Sequence, residues 1–199
     1  MSQGYVCLIE RGARPVPATL AARLARLLGM EPATLPASSD AAPLDGPAAS
    51  RALAALGYPG FGRGPHRRRN PAEVVLRCLR AADVEARVVE ALVWLLVTHP
   101  HLDWPWLLRH AKVDDVQNRL GFVVSLAEQA AARTPDVEAL GRLAAARALL
   151  DRSRLVREDA FRASMTGAER RWLRQHRPPE AAYWNLLTNL TVVDVAHAG

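Results

Sequence analysis

Apolar residues along the chain recur at helical spacing, and the alternation expected of half-buried strands is missing. The first stretch, Ser2 to about Arg11, carries Tyr5, Val6 and Ile9 on one side and ends at Gly12, a residue suited to the position just past a helix. A second helix is expected from about Pro17 to Leu28, with Leu20, Leu24, Leu27 and Leu28 on one face and Gly29 as its stop. Residues 34–47, TLPASSDAAPLDGP, have no hydrophobic period and read as a linker. A short helix from Ala48 to Leu56 and an irregular basic loop, YPGFGRGPHRRRNP, come next. Asn70 and Pro71 then form a cap followed by a proline at the first helical position.

The remaining helices are marked by their apolar stripes. Val75, Leu76 and Leu79 identify one; Val88, Val89, Leu92, Leu95 and Leu96 identify a strongly apolar second that belongs at the centre of a bundle. Asp103 is expected to cap a helix carrying Trp104, Leu107, Leu108 and Ala111. Asp114 with Gln117 resembles a capping box ahead of Val116, Leu120, Val123, Val124 and Ala127. Thr134 and Pro135 open a helix with Val137, Leu140 and Leu143, and Thr166 with Glu169 opens one carrying Trp172 and Leu173. The expected architecture is all-α: a small helical head over residues 1–33, a linker over 34–47 and a multi-helix bundle over 48–199, with no sheet. The one hairpin-type dipeptide, Asp45-Gly46, has no strand-like run beside it.

Composition narrows the classes. Of 199 residues, 50% are hydrophobic and 23% charged, the balance of a folded soluble chain. The formal charge of +6 comes almost wholly from arginine, since Lys112 is the only lysine. A guanidinium suits phosphate, so this balance fits a nucleic-acid partner; a genome rich in G and C would produce the same bias. Cys7 and Cys78 lie in different segments without metal-ligand spacing, which fits a reducing cytoplasm and neither a disulfide framework nor a zinc site. The longest apolar run, Val88 to Val97, is broken by Glu90 and too short to span a bilayer, and no signal peptide precedes the first helix.

The stretch SQGYVCLIERGARPVPATLAARLARLLGM, Ser2 to Met30, resembles the recognition helix and following helix of the Xre/Cro-type helix-turn-helix regulators of bacteria. The landmarks fall in order: Ser-Gln, an apolar face, Ile-Glu-Arg-Gly, a basic turn with Pro15, and a Leu/Ala-rich helix ending in Leu-Gly. The resemblance implies a sequence-specific DNA-binding transcriptional regulator whose partner is double-stranded DNA. Ser2 would cap the helix and offer its amides to a phosphate, and Gln3 would present its amide to an adenine in the major groove. By the same resemblance Gly4 and Leu8 face the bases; Gly4 has no side chain to read with, and Leu8 can touch only a thymine methyl. Arg11 and Arg14 would clamp phosphates, Tyr5 would pack or touch backbone, and Glu10 would hold the turn.

The family's head has two helices ahead of the recognition helix, and this chain begins at the third. Without them Val6 and Ile9 lack their usual partners, a loss of roughly 1.5 to 3 kcal/mol each if left exposed. Two explanations follow: a start upstream of Met1, with tight DNA binding confined to the extended form, or a shortened helical interaction module that no longer binds DNA. The body, through WLLVTHPHLDWPWLLRHAKVDDVQNRLGFVVSLA, is similar to the helical C-terminal half of longer regulators with such a head, and RLGFVVSLA more loosely to AbiEi-type antitoxin C-terminal domains. Partner sensing or homodimerisation would be the natural task of such a body.

Arg63, Arg67, Arg68 and Arg69, with His66, could track phosphates or form a solvated basic loop. Trp94, Trp104, Trp106, Trp172 and Trp184 are mostly in phase with Leu and Val and are expected in the core. His99, His101 and Asp103 surround Pro100 and read as a helix ending, not a metal site. Alternating charges around Glu158, Asp159, Glu169 and their arginines read as structural ion pairs. Ser125, Ser153 and Ser164 lack a nucleophile context and no phosphate-binding loop is present, so no catalytic residues, enzyme activity or cofactor are expected.

Overall fold

The computed structural model describes residues 2–62, 68–134 and 136–195. Helices dominate: α1 (Gln3–Glu10), α2 (Ala18–Leu27), α3 (Gly46–Ala55), α4 (Pro71–Leu79), α5 (Ala86–Thr98), α6 (Trp104–Val113), α7 (Gln117–Ala131), α8 (Val137–Asp151), α9 (Gly167–His176), α10 (Pro179–Tyr183) and α11 (Val192–Val195). A single 3-10 turn, Pro32–Thr34, follows α2. The fold is all-α, as the spacing of apolar residues requires.

One expectation is corrected. A sheet does exist, as a parallel pair of two-residue strands, β1 (Asp159–Ala160) and β2 (Leu186–Leu187), in the register Asp159 to Leu186 and Ala160 to Leu187. Such a pair has no alternation to reveal it, because it is formed by two loop segments that α7 and α9 pack against.

The core is built around α5 and α7. Val88, Val89, Leu92, Leu95 and Leu96 of α5 and Leu120, Phe122, Val123, Val124 and Leu126 of α7 are all buried. α7 also packs along α8, α4 lies against α6, and α3 and α11 close over α5. Trp184 is fully buried against α7, its indole N–H donating to Ser125 Oγ at 2.9 Å. Gly121 makes room for that ring, since a Cβ there would fall inside van der Waals contact of the indole.

Local caps start several helices where the residues demand. Asn70 accepts from the Ala72 amide at 2.9 Å ahead of Pro71, Asp103 accepts from the Trp106 amide at 3.0 Å, and Thr166 and Glu169 form a reciprocal capping box. Asp45 caps α3 through the Ala48 amide at 2.8 Å, so Asp45-Gly46 opens a helix two residues earlier than its sequence suggests. The expected Asp114 and Gln117 box does not form. Asp114 ends α6 and pairs with Arg80 at 3.5 Å, Asp115 takes φ +58°, and α7 begins after Val116 without a side-chain cap. Thr134 does not cap α8 either; Asp136 does, accepting from the Ala139 amide at 2.9 Å, and Pro135 lies outside the described residues.

The first residues of α7 are polar, buried at Gln117 and Asn118 and half-buried at Arg119, and committed to distant partners. Gln117 donates to the Ser153 carbonyl at 3.3 Å. Asn118 exchanges two bonds with the Leu155 backbone, at 2.9 and 2.8 Å. Arg119 donates to the carbonyls of Leu79 and Ala81 at 2.9 and 2.8 Å and makes a two-bond ion pair with Asp159 at 2.9 and 3.0 Å. One guanidinium therefore joins the end of α4, the start of α7 and β1. Arg119→Ala leaves the Asp159 carboxylate and two carbonyls without it, and stability to urea is expected to fall by roughly 3 kcal/mol. Equilibrium urea unfolding of both proteins measures it.

Candidate nucleic-acid interface

The site starts from a helix of eight residues. Ser2 takes extended backbone angles at the N-cap of α1, and its Oγ accepts from the Tyr5 amide at 3.4 Å. That geometry makes Gln3 the first helical residue. At 100° per residue Gln3, Gly4, Cys7, Leu8 and Arg11 share one side, while Tyr5, Val6 and Ile9 share the other. Burial follows this division except at Cys7: Ser2, Gln3, Gly4, Leu8 and Arg11 are exposed, and Tyr5, Val6, Cys7 and Ile9 are half-buried. A Cβ added at Gly4 would meet nothing within 4 Å, so the strip between Gln3 and Leu8 is open.

The turn after α1 is closed by Gly12 at φ +68°, with the Ala13 and Arg14 amides both donating to the Leu8 carbonyl, at 2.9 and 3.1 Å. The Arg14 guanidinium lies over the Tyr5 ring, 4.9 Å from its centroid. Ser2, Gln3, Gly4, Leu8 and Arg11 are therefore brought together on one exposed face, whereas Tyr5 and Arg14 pair with each other to one side. Glu10 is exposed at the end of the helix. Among the described residues α1 contributes nothing to the core, and Ala25 is the one buried residue of α2; Leu27 and Leu28 at the end of α2 are 67% and 70% exposed.

The mount beneath this head is stronger than its composition suggests. Residues 34–47, expected as a linker, form an ordered strap along α4 over residues 33–44. Asn70 donates to the Ala33 and Leu35 carbonyls at 3.0 and 2.7 Å. Glu73 accepts from the Ser38 amide at 3.3 Å. Arg77 donates to the Ala42 carbonyl at 2.7 Å, and the Leu44 amide returns a bond to the Arg77 carbonyl at 3.1 Å. Arg80 donates to the Ser39 carbonyl at 2.7 Å. Glu73 and Arg77, both buried, neutralise one another at 2.9 Å. These residues are the part of the site's support that a sequence reading passes over, although polar residues every three or four positions on an otherwise buried helix are its signal.

The basic loop divides. Arg63 and Arg67, with His66, lie outside the described residues; Arg68 is exposed; Arg69 is half-buried and sits 3.4 Å from Glu73, so its charge already has a partner. Near the head, Thr98, His99, Pro100 and His101 face Glu31, Pro32 and Ala33 across a shallow cleft of about 210 Å³. His99 ends α5, and desolvation holds its imidazole below its ordinary value. Among the described residues no group of three or more His, Cys, Asp or Glu is placed to hold a metal ion. Burial pushes the Cys78 thiol up to about 12, so it remains protonated and unreactive. No described helix is long and apolar enough to cross a membrane.

Of the tryptophans, Trp184 is buried and Trp94, Trp104 and Trp106 are half-buried against the core, as expected. Trp172 departs from that expectation at 51% exposed, because α9 has no buried residue to draw it inward. No family model, curated protein or solved structure matches the chain.

Asn70→Ala removes the cap of α4 together with two of the bonds that hold the strap, for a loss of about 1 to 2 kcal/mol. Hydrogen exchange followed by mass spectrometry should then quicken over residues 33–44 and leave α7 at its original rate.

Proposed function

We propose that the chain is a sequence-specific DNA-binding transcriptional regulator of the Xre type, reading duplex DNA through the exposed face of α1. The observation that carries this reading is the open strip formed by Ser2, Gln3, Gly4, Leu8 and Arg11. It ends at a helix N-terminus with no acidic residue in its first turn. Free amides at that terminus favour a phosphate oxygen, Gln3 has the donor and acceptor pair that matches adenine, and Arg11 adds a cation at the other end of the helix.

A second reading, a helical protein-interaction module of antitoxin-like kind without DNA binding, is favoured by a different observation. The head contributes almost nothing to the core, and Leu27 and Leu28 remain open.

Selection from random-sequence duplexes, run on this chain and on a form carrying the in-frame upstream sequence, separates the two. The expected result is an enriched motif. Gln3→Ala then weakens the best site by about 1 to 3 kcal/mol and relaxes one base pair, whereas Arg11→Ala weakens all duplexes alike and lowers the salt slope by about one. Absence of any motif from both forms leaves the interaction-module reading.

A further inference from the structure

The helix α8 carries apolar residues on both of its sides. Ala139, Leu143, Ala146 and Leu150 are buried, on the side where α8 packs along α7. At 100° per residue Val137, Gly141, Ala144 and Ala148 fall within about 60° of one another on the opposite side. There Val137 is 79% exposed, and Leu149 at the edge of the same side is 48% exposed. Gly141 and Ala148 are exposed as well, and a Cβ added at Gly141 would meet nothing within 4 Å. Between Ala139 and Leu150 the charged residues are Arg142 and Arg147, and each forms an ion pair inside the chain, with Glu138 at 3.3 Å and with Glu128 at 2.6 Å. This stretch of exposed helix therefore offers no unpaired charge to water, and a helix that is apolar all round is one that is covered all round.

The charges bordering this side indicate what covers it. Steps of four, three and four residues from Val137 to Ala148 are those of a coiled-coil seam, and Glu138, Ala145 and Arg152, seven residues apart, form the row beside it. That row has an acid at one end, a base at the other and a methyl group between. Laid antiparallel against itself, it sets Glu138 against Arg152 twice and Ala145 against its own copy; laid parallel, it sets like charges together. We propose that α8 pairs antiparallel with α8 of a second copy of this chain, making a two-fold dimer. Val137 of one copy then meets Ala148 of the other and Gly141 meets Ala144, so small side chains line the seam and the two helix axes approach closely. Antiparallel helix dipoles favour the same orientation. Both members of the cross-copy pair are open: the Glu138 side chain is 85% exposed and touches Arg142 through Oε1 alone, and Arg152 is exposed with no carboxylate partner among the described residues. A nucleic-acid backbone is a poor occupant, because the seam itself presents no cation to phosphate. The inference is independent of how α1 is read.

Sedimentation velocity of the full chain across micromolar concentrations is expected to show a reversible transition from monomer to dimer. Ala145→Glu sets two carboxylates against each other and should weaken the dimer at least about tenfold. Glu138→Arg and Arg152→Glu each put like charges opposite one another and should weaken self-association similarly. An equimolar mixture of those two variants restores both opposite-sign pairs and should associate as the unaltered chain does. All three positions are exposed, so thermal melting followed by circular dichroism should stay near that of the unaltered chain, and if Ala145→Glu melts earlier the mixture supplies the readout. The proposal is overturned if the chain stays monomeric throughout, if the dimer survives the single substitutions, or if the mixture fails to associate.

Discussion

The body depends on one largely enclosed cation. Arg119 lies where three segments meet, and taking a guanidinium from water is tolerable only when its donors are matched by acceptors. Here they are: the carbonyls of Leu79, the last residue of α4, and of Ala81 just beyond it, and a carboxylate from β1. The same bonds that satisfy the arginine thus satisfy the end of α4 and fix where the chain returns after α8. Gln117 and Asn118 extend the arrangement by holding Ser153 and Leu155, so the start of α7 anchors a loop that has almost no apolar content of its own.

A second polar network does for the head what Arg119 does for the body. Asn70, Glu73, Arg77 and Arg80 present donors and acceptors along one side of α4, and the strap after the head runs its carbonyls and amides past them. Proline and alanine in the strap leave few competing side chains, and the extended backbone exposes its polar groups at the right places. The chain just after the head is attached to the bundle mainly by α4 side chains bonded to its backbone, and α1 contributes nothing to the core.

Arginines inside the fold are spent on carbonyls and carboxylates, whereas exposed ones such as Arg11, Arg51, Arg109, Arg152 and Arg171 are spread over the surface. Large apolar side chains remain open at several places, Leu8, Leu27 and Leu28 at the head and Val113, Val137, Val156, Trp172 and Val193 on the body.

What the sequence determined by itself was local. The helical period, the caps at Ser2, Asn70, Asp103 and Thr166, and the apolar stripes of α5 and α7 each depend on residues within a turn or two, and each is found where spacing places it. The exposed face of α1 belongs to the same class, since one helix period decides which side Gln3 shares with Leu8. Tertiary structure alone decided the rest. Arg119 meets Asp159 forty residues away, Asn70 meets Leu35 across thirty-five, and β1 pairs with β2 across two helices. Whether Asp114 caps a helix or pairs with Arg80, and whether Trp172 is covered, turns on what arrives from elsewhere. Propensity and period act over a few residues, whereas satisfying a buried polar group depends on partners that only the packed chain can bring together.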